Sequence, residues 1–463
     1  MKPATPAIAA GLAGFALAAA ATVALGLGAA PALLYLVVAG AFLAWHARRD
    51  ALAAAGRHTA LGATDGGALG MAVVFAARAL DVARRNVLAP EEWDFQAFWL
   101  WGRAAARGLN PYLPESIRQV DAGLQHTASF TATVVDVGFP YPPITMLLLR
   151  PFGGFDLPVA CALWYMVQGA ALAGAVWMIW RHVLGSRRWP DLVLTGGLLA
   201  CLRPMQTTVH LAQTNFLILL ALALYWRDRE RARGGVWLAL ALAVKPWVAV
   251  MLLHPLVRRR SNVLGAAVAT TAALFVAAAA AFGPAMVSSY VHMAMVGSMP
   301  VKYFSAEVNQ SLLATILRLF IAPDAGTPDP RTLLGPQILF VVIAAALTLV
   351  TAVLVHRLGE THDDLGLLLV LVLALIVYPG TLYHYGVMLI VPLVFIWAMR
   401  ERLGVSAAAA GGLVTGYFVL TGGSHARFVF AGIALVWCAL AAIAWRTSRV
   451  LSGSRVAASA PAA

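Results

Sequence analysis

The chain has 463 residues and a formal net charge of +13. Hydrophobic residues make up 61% of it and charged residues 11%, with a mean hydropathy of +0.80. Soluble domains carry roughly 25% charged residues, so the composition excludes a large soluble enzyme. The basic excess does not indicate nucleic acid, because Lys and Arg are parcelled into short stretches between apolar runs, the positive-inside pattern of a polytopic membrane protein.

In chain order, Lys2 precedes an apolar run over 8–27 and a small-residue stretch at 28–32. A run of about 20 residues is long enough to span, so an uncleaved helix is expected here rather than a cleaved signal peptide. Further helices are expected at 32–45, 70–82, 157–180, 192–207, 215–225, 263–282, 338–355, 365–378, 387–399, 407–420 and 429–445. Residues 94–109 place Phe95, Phe98, Trp99 and Trp101 among small residues and predict an amphipathic helix lying at the membrane interface. Short apolar runs at 144–149 and 311–320 are further interfacial helices, roofing a cavity at the membrane boundary.

The segment 234–256 has the length of one span, but Lys245-Pro246 interrupts its middle. Basic residues flank both ends: Arg227, Arg229, Arg231 and Arg233 before it, Arg258, Arg259 and Arg260 after it. A single crossing would put one basic flank outside. A hairpin of two half-helices keeps both inside, and irregular backbone is tolerated where it lines a cavity. Cytoplasmic loops are further marked by Arg48, Arg49 and Arg57, by Arg181, Arg187 and Arg188, by Arg357, and by Arg400 and Arg402. The outer face then carries two long polar connections, 84–155 and 283–336, and short ones at 205–213 and 379–385. Cys161, Cys201 and Cys438 lie in apolar stretches without metal or disulfide spacing, which assigns them to core packing.

Acidic residues are scarce, 20 in all, so Asp94 in an outer connection stands out. It is either a helix cap, for which Asp is favoured, or a general base for an alcohol, its pKa tuned by burial and nearby charge. Glu91 and Glu92 are rivals for an acidic role. Lys245 is a cation in mid-segment, where ionisable residues are paired or face a polar cavity; a structural role at the half-helix ends is the alternative. His384, between Tyr383 and Tyr385, is either a hydrogen-bonded loop histidine or a donor to a departing phosphate. Arg203 and His210 flank another outer turn and suit the same anion. The amides Gln213, Asn215, Asn309 and Gln310 sit at membrane entry points, as helix caps or as partners for sugar hydroxyls. The sequence contains no phosphate-binding glycine loop, no His/Cys metal cluster and no serine-nucleophile elbow.

Five stretches taken in order resemble the C-type membrane glycosyltransferases of glycosyltransferase family 87. They are Asp94–Phe98 with Gly108–Tyr112, Phe139–Pro143, Ala212–Asn215, Gly234 through Lys245-Pro246, and Asn309–Leu312. Ala212 stands where the family usually has glycine. The resemblance covers roughly 66–399 and implies an all-α polytopic C-type fold with about 12–14 transmembrane helices and interfacial helices on the outer face. It divides the chain into additional N-terminal helices (1–65), a catalytic core (66–400), and C-terminal helices with a basic tail (401–463). It implies metal-independent, cofactor-free, inverting transfer of a sugar, mannose in the best-known cases, from a polyprenyl-phosphate donor to a glycolipid or glycan hydroxyl outside the cell membrane. Asp94 matches the catalytic aspartate. His384, then Arg203, would meet the leaving phosphate, with Tyr141, Gln213, Asn215, Asn309 and Gln310 around the donor. A transporter or lipid flippase is the alternative reading. Paired mid-membrane charges and symmetric halves would favour it; here the polar mass lies on one face. Asp94, His384 and the Tyr141-Pro142-Pro143 turn are expected to line one outward-facing cavity.

Overall fold

The computed structural model describes residues 94–121, 138–183, 202–296, 306–321, 330–399, 402–421 and 429–458, together with Arg84, Val87, Leu88, Val134, Val135 and Leu199. The helices expected at 8–27, 32–45 and 70–82, the N-terminal unit 1–65, Glu91, Glu92 and Cys201 lie outside these residues. Helices α1 (Asp94–Ala106), α2 (Pro114–Asp121) and α3 (Ile144–Leu149) lead through a 3-10 turn at Phe152–Gly154 into α4 (Leu157–Met178). Next come α5 (Arg203–His210), α6 (Asn215–Asp228) and α7 (Ala232–Val244), a 3-10 segment Pro246–Leu252, α8 (Leu253–Val257), α9 (Ser261–Phe282) and α10 (Pro284–Val296). The rest is α11 (Leu312–Phe320), α12 (Pro330–Leu358), α13 (Asp363–Val377), a 3-10 segment Tyr383–Leu389, α14 (Ile390–Met399), α15 (Ala407–Thr421) and α16 (Val429–Ala458). Among the described residues the β pairing is an isolated antiparallel bridge between Asn309 and Leu382. The protein is an all-α membrane protein.

Among the described residues, four helical stretches are long and apolar enough to cross a bilayer: Leu157–His182, Ser261–Phe282, Leu333–Leu358 and Val429–Val450. α9 and α12 turn Val268, Val276, Val341, Val342 and Leu349 outward, as helices facing hydrocarbon do. α13 is apolar all round and buried along nearly its whole length, so it forms the centre of the bundle. Cys161 packs inside as expected, whereas Cys438 is exposed on α16.

α1 departs from the expected interfacial helix. Phe95, Phe98, Trp99, Leu100 and Trp101 are buried, and only Asp94, Arg103 and Ala106 escape burial. The cause is its small residues, which let other chains close over it. A Cβ on Gly102 would stand 2.5 Å from the Leu149 carbonyl oxygen, and one on Gly153 would overlap the Arg103 backbone nitrogen. The aromatic face then stacks on Trp164, Tyr141 and Phe139. Asp94 is thereby fixed at the end of a rigid helix.

The interrupted segment folds back on itself. Pro246 cannot continue a helix and pushes the residue before it out of the α region; Lys245 is extended at φ −144°, ψ 126°. The carbonyl of Ala243, left without a helical partner, accepts a hydrogen bond from Thr145 Oγ1 at 2.6 Å. The 3-10 segment and α8 then return, so that both basic flanks meet on one carboxylate, Asp363. Arg229 Nε and Arg258 Nε donate to it at 2.7 Å, Arg260 Nη1 at 3.0 Å, and His254 Nε2 lies at 3.0 Å. α7, with 13 residues, rises about 20 Å from this clasp, and the neighbouring 22-residue α9 about 33 Å. The hairpin tip therefore stops about 13 Å short of the far end of α9.

A buried charge is tolerated only when nearly every polar atom around it is satisfied, and removing one partner commonly costs about 3–5 kcal/mol. Asp363→Asn is expected to lower stability by that order in a thermal unfolding assay of the purified protein, because three guanidinium groups lose their shared anion.

Candidate active site

Lys245 is fully buried at the hairpin tip, where an unsolvated ammonium would be costly. Its Nζ donates to Gln213 Oε1 at 3.0 Å and Asn215 Oδ1 at 3.1 Å, and lies 3.9 Å from the centroid of the Tyr385 ring. Both amides belong to the start of α6, which runs antiparallel to α7 and so brings its first residues level with the tip. Asn215 Nδ2 donates onward to Thr208 Oγ1 at 2.9 Å and to the His384 carbonyl at 3.1 Å. Gln213 Nε2 donates to Asp94 Oδ2. Four separate stretches of chain thus close on one polar cluster inside an apolar bundle.

Asp94 forms the open end of this cluster and keeps part of its surface exposed. Burial pushes its carboxyl above the ordinary aspartate range, against the opposing pull of the Gln213 hydrogen bond and the Lys245 charge. Its charge is also felt at the hydroxyls of Tyr141, Tyr383 and Tyr385. A carboxylate held through one oxygen, with raised proton affinity, is suited to taking a proton from an alcohol.

The remaining residues singled out from the sequence divide into two groups. Tyr141 lies beside Asp94, its ring packed edge-on against Phe98 and its carbonyl accepting from Tyr112 Oη at 2.7 Å. His384 is buried next to Lys245 and Asn215, and neither ring nitrogen has a hydrogen-bond partner among the described residues. Arg203 is exposed at the start of α5, where its charge acts on the Tyr383 hydroxyl; His210, half-buried, ends the same helix. Asn309 and Gln310, expected at the donor, are hydrogen-bonded to backbone groups. Asn309 Nδ2 donates to the Pro379 carbonyl at 2.8 Å, and its Oδ1 accepts from Ser311 N at 3.0 Å. Gln310 Nε2 donates to the Glu307 carbonyl, and its Oε1 accepts from Phe430 N at 2.7 Å. Buried amides satisfy backbone first, and here they fasten the loop leading into His384.

Thr208, Tyr385 and Trp164 were not legible as site residues. Tyr385 and Trp164 sit in aromatic or apolar stretches with no distinguishing spacing, and Thr208 is one of two adjacent threonines with nothing to mark it out. Trp164 Nε1 donates to the Ala212 carbonyl at 2.6 Å and so braces the turn before Gln213. Ala212 has φ +50°, a left-handed conformation that glycine adopts without cost. Next to the cluster, an apolar cavity of about 320 Å³ lies between the hairpin and α9, lined by Leu238, Leu242, Val248, Leu252, Val268 and Phe275. Leu242 and Val248 are each three residues along the chain from Lys245.

An apolar helical bundle with a partly buried carboxylate joined to a buried polar cluster is a build compatible with a membrane enzyme. The family model for glycosyltransferase family 87 matches residues 139–379, more than half of the chain, and the chain belongs to that family. It is a membrane glycosyltransferase. It is 25% identical to the polyprenol-phosphate-mannose-dependent alpha-(1-2)-phosphatidylinositol mannoside mannosyltransferase of Mycolicibacterium smegmatis, over 70% of this chain and 74% of that one. A pentamannoside mannosyltransferase of the same dependence from Mycobacterium tuberculosis is 28% identical over 60% of this chain and 62% of its own. An alpha-(1->3)-arabinofuranosyltransferase of Mycobacterium tuberculosis is 31% identical over 31% of this chain and 35% of its own. No solved structure matches the chain. The matched stretch contains Tyr141, Arg203, Gln213, Asn215 and Lys245; Asp94 precedes it and is joined to it by the Gln213 hydrogen bond.

Holding an L-residue in the left-handed region costs about 1 kcal/mol. Ala212→Gly is therefore expected to hold or slightly raise the thermal midpoint, and Ala212→Val, with its branched Cβ, to lower it.

Proposed function

We propose that this glycosyltransferase moves mannose from a polyprenyl-phosphate donor to a hydroxyl of a glycolipid or lipid-linked glycan, with inversion, at the outer face of the cell membrane. The observation that carries the reading is the Asp94 carboxylate, held by Gln213 in a residue that is only partly buried. Asp94 takes the proton of the acceptor hydroxyl as that oxygen attacks the anomeric carbon. The bond from that carbon to the phosphate oxygen breaks, and the lipid phosphate leaves with the electron pair on the opposite face. Attack and departure on opposite faces invert the anomeric centre.

A leaving phosphate needs hydrogen-bond donors or positive charge in place before the bond breaks. His384, buried with both ring nitrogens open among the described residues, and Arg203 at the exposed mouth are assigned that role. The apolar cavity between the hairpin and α9 suits the first isoprene units of the donor. Mannose is chosen because the two relatives named for it match 70% and 60% of this chain, against 31% for the arabinofuranosyltransferase. The reading takes no metal and no cofactor. Three carboxylates, Glu230, Glu360 and Asp363, come close enough to share an ion, but they lie at the opposite end of the hairpin, and Asp363 is engaged by three arginines. Basic loops, including the clasp around Asp363, mark the cytoplasmic side in this orientation.

The test is transfer by the full chain in liposomes, with polyprenyl-phosphate-mannose and a glycolipid extract, against polyprenyl-phosphate-arabinose as the competing donor. Asp94→Asn is expected to lose about 10²–10⁴-fold in kcat, the usual contribution of a general base. An Asp94→Asn variant as fast as wild type would remove Asp94 from the mechanism, and faster transfer of arabinose would replace the donor sugar. Because burial raises the Asp94 proton affinity, the base is lost as pH falls through a value above the usual aspartate pKa of about 3.9. The acid limb of kcat/KM should accordingly lie above that value.

A further inference from the structure

We propose that Lys245 is a positioning residue that acts on Asp94 through Gln213, fixing which end of the Gln213 amide faces the carboxylate. The proposal rests on the transferase reading for its purpose, but its geometry stands apart from it. An amide has a donor end and an acceptor end. Lys245 has donors only, so the Gln213 atom 3.0 Å from Nζ must be the oxygen. The NH₂ group is then turned to Asp94 Oδ2. Flipping the amide would set an NH₂ group against the ammonium and an oxygen against the carboxylate, two repulsive contacts in place of two attractive ones. Lys245 is itself locked by Asn215 Oδ1 at 3.1 Å and by the Tyr385 ring. Its place at the tip follows from Pro246 and from the clasp at the hairpin's base.

One consequence is mechanical. The acceptor-facing carboxylate is held by a chain running from the hairpin tip through α6 to α1, with no direct Lys245–Asp94 ion pair at salt-bridge distance among the described residues. A direct pair would fill the carboxylate's coordination with a cation and lower its proton affinity. An intervening amide orients the base and leaves it basic. Among the described residues, the titratable groups facing Asp94 are the hydroxyls of Tyr141, Tyr383 and Tyr385 besides Lys245, and His384 faces Lys245.

The experiment uses the full chain in detergent micelles and a readout that does not need transfer. Dicyclohexylcarbodiimide, an apolar reagent for protonated carboxyls, is reacted at a series of pH values, and modification of Asp94 is followed by mass spectrometry. In Lys245→Met the amide loses its lock and the carboxylate loses a nearby cation, so the pH midpoint of labelling is expected to rise by about one unit or more. Gln213→Ala should raise it as well, and Lys245→Arg, which keeps donors and charge, should stay near wild type. In the double variant, Lys245→Met should add little to Gln213→Ala, because groups acting in series are non-additive. An unchanged midpoint in Lys245→Met overturns the proposal. A Lys245→Met shift that persists in full without Gln213 overturns the route through the amide.

Transfer assays separate the two ideas. kcat in Lys245→Met should fall about 10²-fold, the scale of a misplaced catalytic group, with donor KM little changed. A rise in donor KM at unchanged kcat would instead place Lys245 on the lipid phosphate and overturn its positioning role. Labelling shifts in the variants, together with a wild-type protein that transfers no mannose, would end the mannosyl-transfer reading alone.

Discussion

The burial of one ammonium group organises the site. Lys245 stands at the tip of an apolar hairpin, and its charge is tolerable there only if every donor finds a partner. Gln213, Asn215 and the Tyr385 ring supply those partners, the two amides from one stretch of chain and the ring from another. The start of α6 must therefore sit at the level of the tip, and the Tyr383–Leu389 segment must cross above it. Once these are placed, the second amide groups of Gln213 and Asn215 have only Asp94, Thr208 and the His384 carbonyl to bond. The geometry around the catalytic candidate is in that sense a consequence of solvating a lysine.

The two ends of the hairpin illustrate two ways of keeping charge inside a bundle. At the base, Asp363 is saturated by three arginines and a histidine, and nothing is left for chemistry. Its work is to hold both basic flanks together. At the tip the charges are kept apart by an amide, and Asp94 remains partly exposed. The first arrangement gives rigidity, the second gives a carboxylate that is oriented without being neutralised. Rigidity at the base, where Arg233 and Trp237 of α7 also bind Asp228, keeps the tip in register with α6 and α1.

Much of this was readable from residues alone, and the limits have physical causes. The hairpin was legible because Pro246 stops a helix by its own covalent structure and because basic flanks resist crossing. Asp94 was legible because a carboxylate is conspicuous in so apolar a chain. Asn309 and Gln310 were ambiguous, because an amide near the membrane boundary has the same appearance whether its partner is a sugar or a carbonyl. The aromatic run of α1 misled for a related reason. Tryptophan suits an interface and a core equally well, and only the packing across Gly102 and Gly153 decides between them.

The sequence by itself determined that this is a helical membrane protein with basic loops on one side, a broken segment at Lys245-Pro246 and a conspicuous acid at Asp94, because hydropathy, charge distribution and proline geometry are local properties. Only the tertiary structure decided that Lys245 reaches Asp94 through Gln213, that the Asn309-Gln310 pair secures a loop, and that α1 is buried. These depend on which distant segments meet, and that is settled by close packing and by the need to satisfy every buried polar group at once.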